Sequence, residues 1–88
     1  MSYLITYDLR RPGQNYAGLH DAIKRLGGWW HHLESTWIVI HPGPATSIRD
    51  ALSPHIDRND KLLVVKCSGE GAWRGINDTG SNWLKENL

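Results

Sequence analysis

Four consecutive apolar residues, Leu62-Leu63-Val64-Val65, stand between two lysines at 61 and 66. Side chains alternate across a strand, so such a run puts apolar groups on both faces of a sheet. Two other segments behave the same way. Tyr3, Ile5 and Tyr7 share one face while Leu4 lies on the other, and Trp37 and Val39 oppose Ile38 and Ile40. A sheet built from these strands needs a cover on each side, and the rest of the chain must supply it or a partner must.

The remaining segments supply two helices. Tyr16, Leu19, Ile23 and Leu26 recur at spacings of three and four, which makes one apolar helical face. Asn15 is placed to cap its start and Gly27-Gly28 to end it. In PGPATSIRDALSPHI, Pro44 suits a first turn and Ile48, Ala51 and Leu52 form the apolar face, with Pro54 as terminator or kink. The stretch WWHHLESTWIVIH holds two strands, Trp29 to Leu33 and Thr36 to His41, turning near Glu34-Ser35 without the usual tight-turn glycine.

The predicted order is β-α-β-β-α-β. It specifies an α+β, ferredoxin-like split βαβ arrangement: one antiparallel sheet with two helices on one face. The first and third strands are expected side by side and parallel, linked by a right-handed crossover. Two helices leave the second face bare, so a homodimer through that face is expected. Residues 1–88 read as a single domain, with 69–88 a C-terminal extension. Its Trp73 and Trp83 are too apolar for water and dock on the domain or on the partner chain.

Size points the same way. An 88-residue domain buries roughly 60–65% of its unfolded surface and gains much from association. Cys67 is the only cysteine, so no disulfide closes within the chain and no zinc framework is present. The start MSYLITYDLRR has neither the basic region nor the apolar length of a signal peptide, and no run approaches a membrane span. A cytoplasmic protein with a reduced thiol is expected. Ten Lys+Arg against nine Asp+Glu give a net charge of +1, not the basic excess of a nucleic-acid coat. An electropositive surface must therefore be local, and Arg10, Arg11, Lys24 and Arg25 flank the first helix.

The chemistry-bearing stretch is ITYDLRRPG, residues 5–13. Asp8 ends the first strand where a loop opens. One carboxylate is too few to hold Mg²⁺. Asp8 shares the Leu4, Thr6 face, however, so a two-fold axis through that face would pair two copies around one metal. The bland alternative is an Asp8 that pairs with Arg10 or Arg11, or caps the turn before Pro12. Arg10 and Arg11 are candidate phosphate ligands. His31 and His32 are adjacent strand residues that point to opposite faces, which disfavours a shared ion. His31 is a candidate acid or base and Ser35 a supporting hydroxyl. No Ser-His-Asp spacing is present, and the glycines of the tail lack the G-K-[ST] of a phosphate loop.

An opening strand YLITYDL, a Leu-Gly-Gly helix end leading into STWIV, and the final RNDKLLVVK together resemble the CRISPR-associated protein two family and its stand-alone relatives, over nearly the whole chain. The resemblance implies a ferredoxin-like homodimer, often with a C-terminal strand docked on the other protomer. It implies Mg²⁺- or Mn²⁺-dependent cleavage of RNA or DNA with the acid ending strand one, here Asp8, as metal ligand and catalytic residue. It equally implies a non-catalytic adaptor that holds an integrase subunit, or a toxin-type ribonuclease. The leading expectation is a dimeric metal-dependent endonuclease. The alternatives are a scaffold dimer that binds nucleic acid without cleaving it and a small-ligand regulatory domain.

Overall fold

The computed structural model describes residues 1–10 and 16–88. It contains strands β1 (Ser2–Asp8), β2 (Trp29–Leu33), β3 (Thr36–Ile40) and β4 (Lys61–Lys66), and helices α1 (Ala17–Lys24), α2 (Ala45–Leu52) and α3 (Asp78–Asn87). A single 3₁₀ turn, Ser53–His55, holds Pro54 and follows α2 directly. The expected Asn15 cap lies outside the described residues.

The strands form one antiparallel sheet in the order β2-β3-β1-β4. The expectation that β1 and β3 run parallel is corrected: Tyr3 lies opposite Val39 and Ile5 opposite Trp37 in an antiparallel register. The reason is topological. The crossover through α1 brings β2 back in the direction of β1, and the β2–β3 hairpin then reverses the chain before β3 slots between them.

One sheet face carries the main core. Tyr3, Ile5, Tyr7, Trp37 and Val39 pack against Leu19, Ala22 and Ile23 of α1 and Ile48 and Leu52 of α2. All four residues of the anticipated α1 stripe belong to this cluster. Ala51 is exposed, so the buried face of α2 is narrower than expected. Gly43 permits a tight approach here: its φ is +79°, and a Cβ would strike the Tyr3 ring.

The opposite face is covered over half its width, and by this chain. Asn77 caps α3 by accepting a hydrogen bond from the backbone N–H of Gly80 at 2.8 Å. Leu84 of α3 joins Trp30 and Ile38 in a second buried cluster, edged by Cys67, Ile76, Trp83 and Leu88. Gly80 makes the contact possible, since a Cβ there would lie 3.1 Å from the His32 ring and 2.7 Å from Ile76. The Trp30 indole N–H donates to the Gly80 carbonyl at 3.1 Å. The expectation that the helices leave this face bare is thus corrected in part: α3 covers the β2 side, while Leu63 and Val65 on β4 are exposed.

The two sheet edges differ. The pairing of β2 with β3 shifts register between Trp30 and Leu33, which sets His31 and His32 against Trp37 as a bulge. This replaces the missing turn glycine as the way the Glu34-Ser35 hairpin absorbs its twist, and no non-glycine residue among those described has positive φ. In contrast, β4 pairs with β1 in unbroken register from Tyr3–Lys66 to Asp8–Lys61.

Candidate functional site at the end of the first strand

Asp8 is the last residue of β1 and lies opposite Lys61 of β4. Its Oδ2 is 3.1 Å from a guanidinium nitrogen of Arg10, and both side chains are more than half exposed. Strand alternation puts Asp8 on the face of Leu4 and Thr6. It borders a shallow depression of about 200 Å³ with Thr6, Lys61 and Leu63. In water an exposed pair of this kind contributes at most about 1 kcal/mol, so its significance is placement and not stability.

Asp60 anchors the loop that follows. It accepts hydrogen bonds from the backbone N–H of Arg10 at 2.7 Å, from the backbone N–H of Asp57 at 2.8 Å, and from the Tyr16 hydroxyl at 3.1 and 3.3 Å. One carboxylate therefore ties the exit of β1, the approach to α1 and the turn before β4. Arg11 lies outside the described residues.

The structure sorts the other expected site residues into three places. Ser35 shares the Asp8 end of the sheet: its carbonyl accepts from the Tyr7 backbone N–H at 3.2 Å, and Thr36 and Thr6 hydroxyls meet at 3.2 Å. His31 is on the helix-covered face. Its ring stacks on Trp37 at 3.7 Å with an interplanar angle of 11°, and its Nε2–H donates to the Glu34 carbonyl at 3.1 Å. His31 and Asp8 thus lie on opposite faces of the sheet. His32 points the other way, toward Trp30 and Gly80.

Lys24 and Arg25 do not join Arg10 in one basic patch. Lys24 Nζ sits 5.1 Å from the Trp29 ring centroid, and Trp29 lies opposite Val39, which lies opposite Tyr3. Tyr3 and Asp8 are near opposite ends of β1, about 16 Å apart at the rise of a strand. The cations thus form two separate positions. Arg10 and Lys61 are beside Asp8, and Lys24 and Arg25 are at the far end of α1.

Two residues matter here that the sequence pattern did not single out. Asp60 follows Asn59 immediately before β4, a turn signal without any hint of its three-way role. His20 lies four residues after Tyr16 on the border of the α1 stripe, and that spacing was the available clue. The Trp37 indole N–H donates to the Tyr7 hydroxyl oxygen at 3.1 Å, and the Tyr7 hydroxyl is 3.3 Å from His20 Nε2.

The fit of a divalent cation can be tested on these groups. Asp8 offers one carboxylate, already engaged by Arg10, and no cluster of three or more His, Cys, Asp or Glu able to hold a metal exists among the described residues. The donors of one chain alone do not fit Mg²⁺ or Mn²⁺. On the same side of the sheet as Asp8, a groove of about 570 Å³ runs beneath the segment before α3, lined by Leu4, Ile38, Val65, Trp73 and Leu84. Among the described residues no helix is long and apolar enough to cross a membrane. No protein-family model matches the chain, and neither the curated proteins nor the solved structures give a match.

Proposed function

We propose that two copies of this chain associate through the open β1–β4 half of the second sheet face and bind nucleic acid at the ends of their first strands. The observation that carries this reading is the exposure of Leu63 (56%) and Val65 (46%) on the face that also holds Leu4, Thr6 and Asp8. Apolar residues clustered on an open strand face mark an association surface. The strand order, with α1 and α2 on one face, supports a ferredoxin-like frame for such a dimer. Arg10 and Lys61 supply the cations for phosphate, with Ser35 close by and Arg11 next in the chain.

Metal-dependent endonuclease activity on RNA or DNA belongs to the dimer only. It requires two Asp8 carboxylates to share one Mg²⁺ or Mn²⁺, which would supply Lewis-acid chemistry to a phosphodiester. The Asp8–Arg10 pair favours a second reading, a binding dimer without cleavage that serves as an adaptor for a second protein such as an integrase subunit. In that form Asp8 orients Arg10. The groove supports a small apolar ligand as a further alternative.

Labelled RNA and duplex DNA, each with Mg²⁺, Mn²⁺ or a chelator, separate these readings when Asp8→Ala and Arg10→Ala are run beside the wild type. Binding that weakens with salt and with Arg10→Ala is the expected result. Metal-dependent cleavage lost in Asp8→Ala supports the endonuclease. Cleavage-free binding that is weakened by salt and unaffected by the chelator supports the adaptor. Absence of binding at low salt, or a strict monomer at micromolar concentration in light scattering, overturns the proposal.

A further inference from the structure

The hydrogen-bond chain on the helix-covered face limits where its protons can lie. An indole N–H can only donate, so Trp37 gives its proton to the Tyr7 oxygen. Tyr7 has one hydroxyl proton left, and His20 Nε2 lies 3.3 Å away. When Nε2 accepts that proton it carries a lone pair, and His20 is neutral with its proton on Nδ1. Tyr7 is 8% exposed, so its side chain is largely shielded from water.

We propose that His20 is an acid-sensitive latch: in its neutral Nδ1–H form it accepts the Tyr7 hydroxyl proton and holds α1 to the end of β1, and proton uptake at Nε2 releases that hold. A protonated Nε2 is a donor facing a donor. The Tyr7 oxygen can still accept from it, but the Tyr7 hydroxyl proton is then left without its acceptor in a buried position.

The surroundings oppose the charge as well. From β2, His31 faces His20 with ring centroids 6.0 Å apart. From β3, the Trp37 ring lies 5.7 Å away, and from β1 the Tyr7 ring lies at 6.4 Å. On α1 itself, Lys24 adds positive charge and Asp21 partly offsets it. Burial first, then His31 and Lys24, lower the His20 pKa below 6.5. The sign follows by linkage. A histidine that binds its proton more weakly when folded than when unfolded gives a stability that is full above pH 6.5 and lost as pH falls through the lower folded value.

The latch sits one residue before Asp8. Tyr7 is fixed by His20 and Trp37, while Asp60 fixes Arg10 and Tyr16 on either side of residues 11–15. Acidification therefore loosens the hold of α1 on the end of β1, beside the Asp8–Arg10 pair, whatever chemistry that pair performs.

Nitrogen-15 NMR of the histidine rings in the full chain tests the assignment directly. The expected neutral form of His20 is the Nδ1–H tautomer, titrating below free imidazole, with Tyr7→Phe and His31→Gln each raising its pKa. The Tm of the wild type is expected to drop by several degrees more between pH 7.5 and 5.0 than that of His20→Gln, whose amide oxygen still accepts from Tyr7 but does not titrate. An Nε2–H tautomer, or equal Tm losses in the wild type and His20→Gln, overturns the proposal. The tautomer reading needs no variant and holds even where a substitution prevents folding.

Discussion

On the helix-covered face of the sheet, Tyr3, Ile5, Trp37 and Val39 are all under 5% exposed, whereas Leu63 and Val65 on the other face are 56% and 46% exposed. The side chains are chemically alike, so hydrophobicity alone does not decide their state. Cover decides it. Both α1 and α2 lie along the first face, and α3 reaches only the Trp30–Ile38 side of the second. The first face is a core, the covered half of the second is a satellite cluster, and the remainder is an open surface.

Three substitutions sharpen that ranking. Trp37→Ala should cost the most, about 3–5 kcal/mol in urea unfolding, because it empties a fully buried site and removes the donor to Tyr7. A loss below about 1 kcal/mol would contradict the assignment of the first face as the main core. Leu84→Ala should cost less, about 2 kcal/mol, and should act locally. Amide exchange would then quicken in α3 while β1 and β3 remain protected, and uniform loss of protection would mean that both faces form a single cooperative unit. Leu63→Glu should change unfolding of the isolated chain by no more than about 0.5 kcal/mol, since its side chain leaves no core. It should nevertheless abolish association in sedimentation velocity. An unchanged association would move the interface away from this face.

Much of the fold was legible from periodicity. The KLLVVK run, the Tyr16–Leu26 stripe and the WWHHL and TWIVI segments all became the elements their patterns indicated. What pattern could not supply was mutual direction and cover. The β1–β3 orientation follows from the hairpin reversal, which no single segment encodes. The fate of the second face depended on a tail whose ten-residue helix docks through a glycine, Gly80, and so through the absence of a side chain. At the candidate site the Asp8–Arg10 ion pair was legible, as the bland alternative had it, because the two residues are close in sequence. Lys24 and Arg25 flank the same helix but project from its far end, because eight helical residues carry the chain about 12 Å away. Asp60 escaped notice because its partners, Arg10 and Tyr16, come from distant parts of the chain.

The unequal edges of the sheet limit how copies can add up. At β2 the extra residue opposite Trp37 spoils the regular ladder, while β4 is an unbroken edge with lysines at both ends. Strand-by-strand growth into a fibre needs two compatible edges, one to receive and one to offer. The regular ladder lies at the β4 end of the sheet, and a pairing of two copies through β4 would be self-complementary, closing on a two-fold axis after a single step.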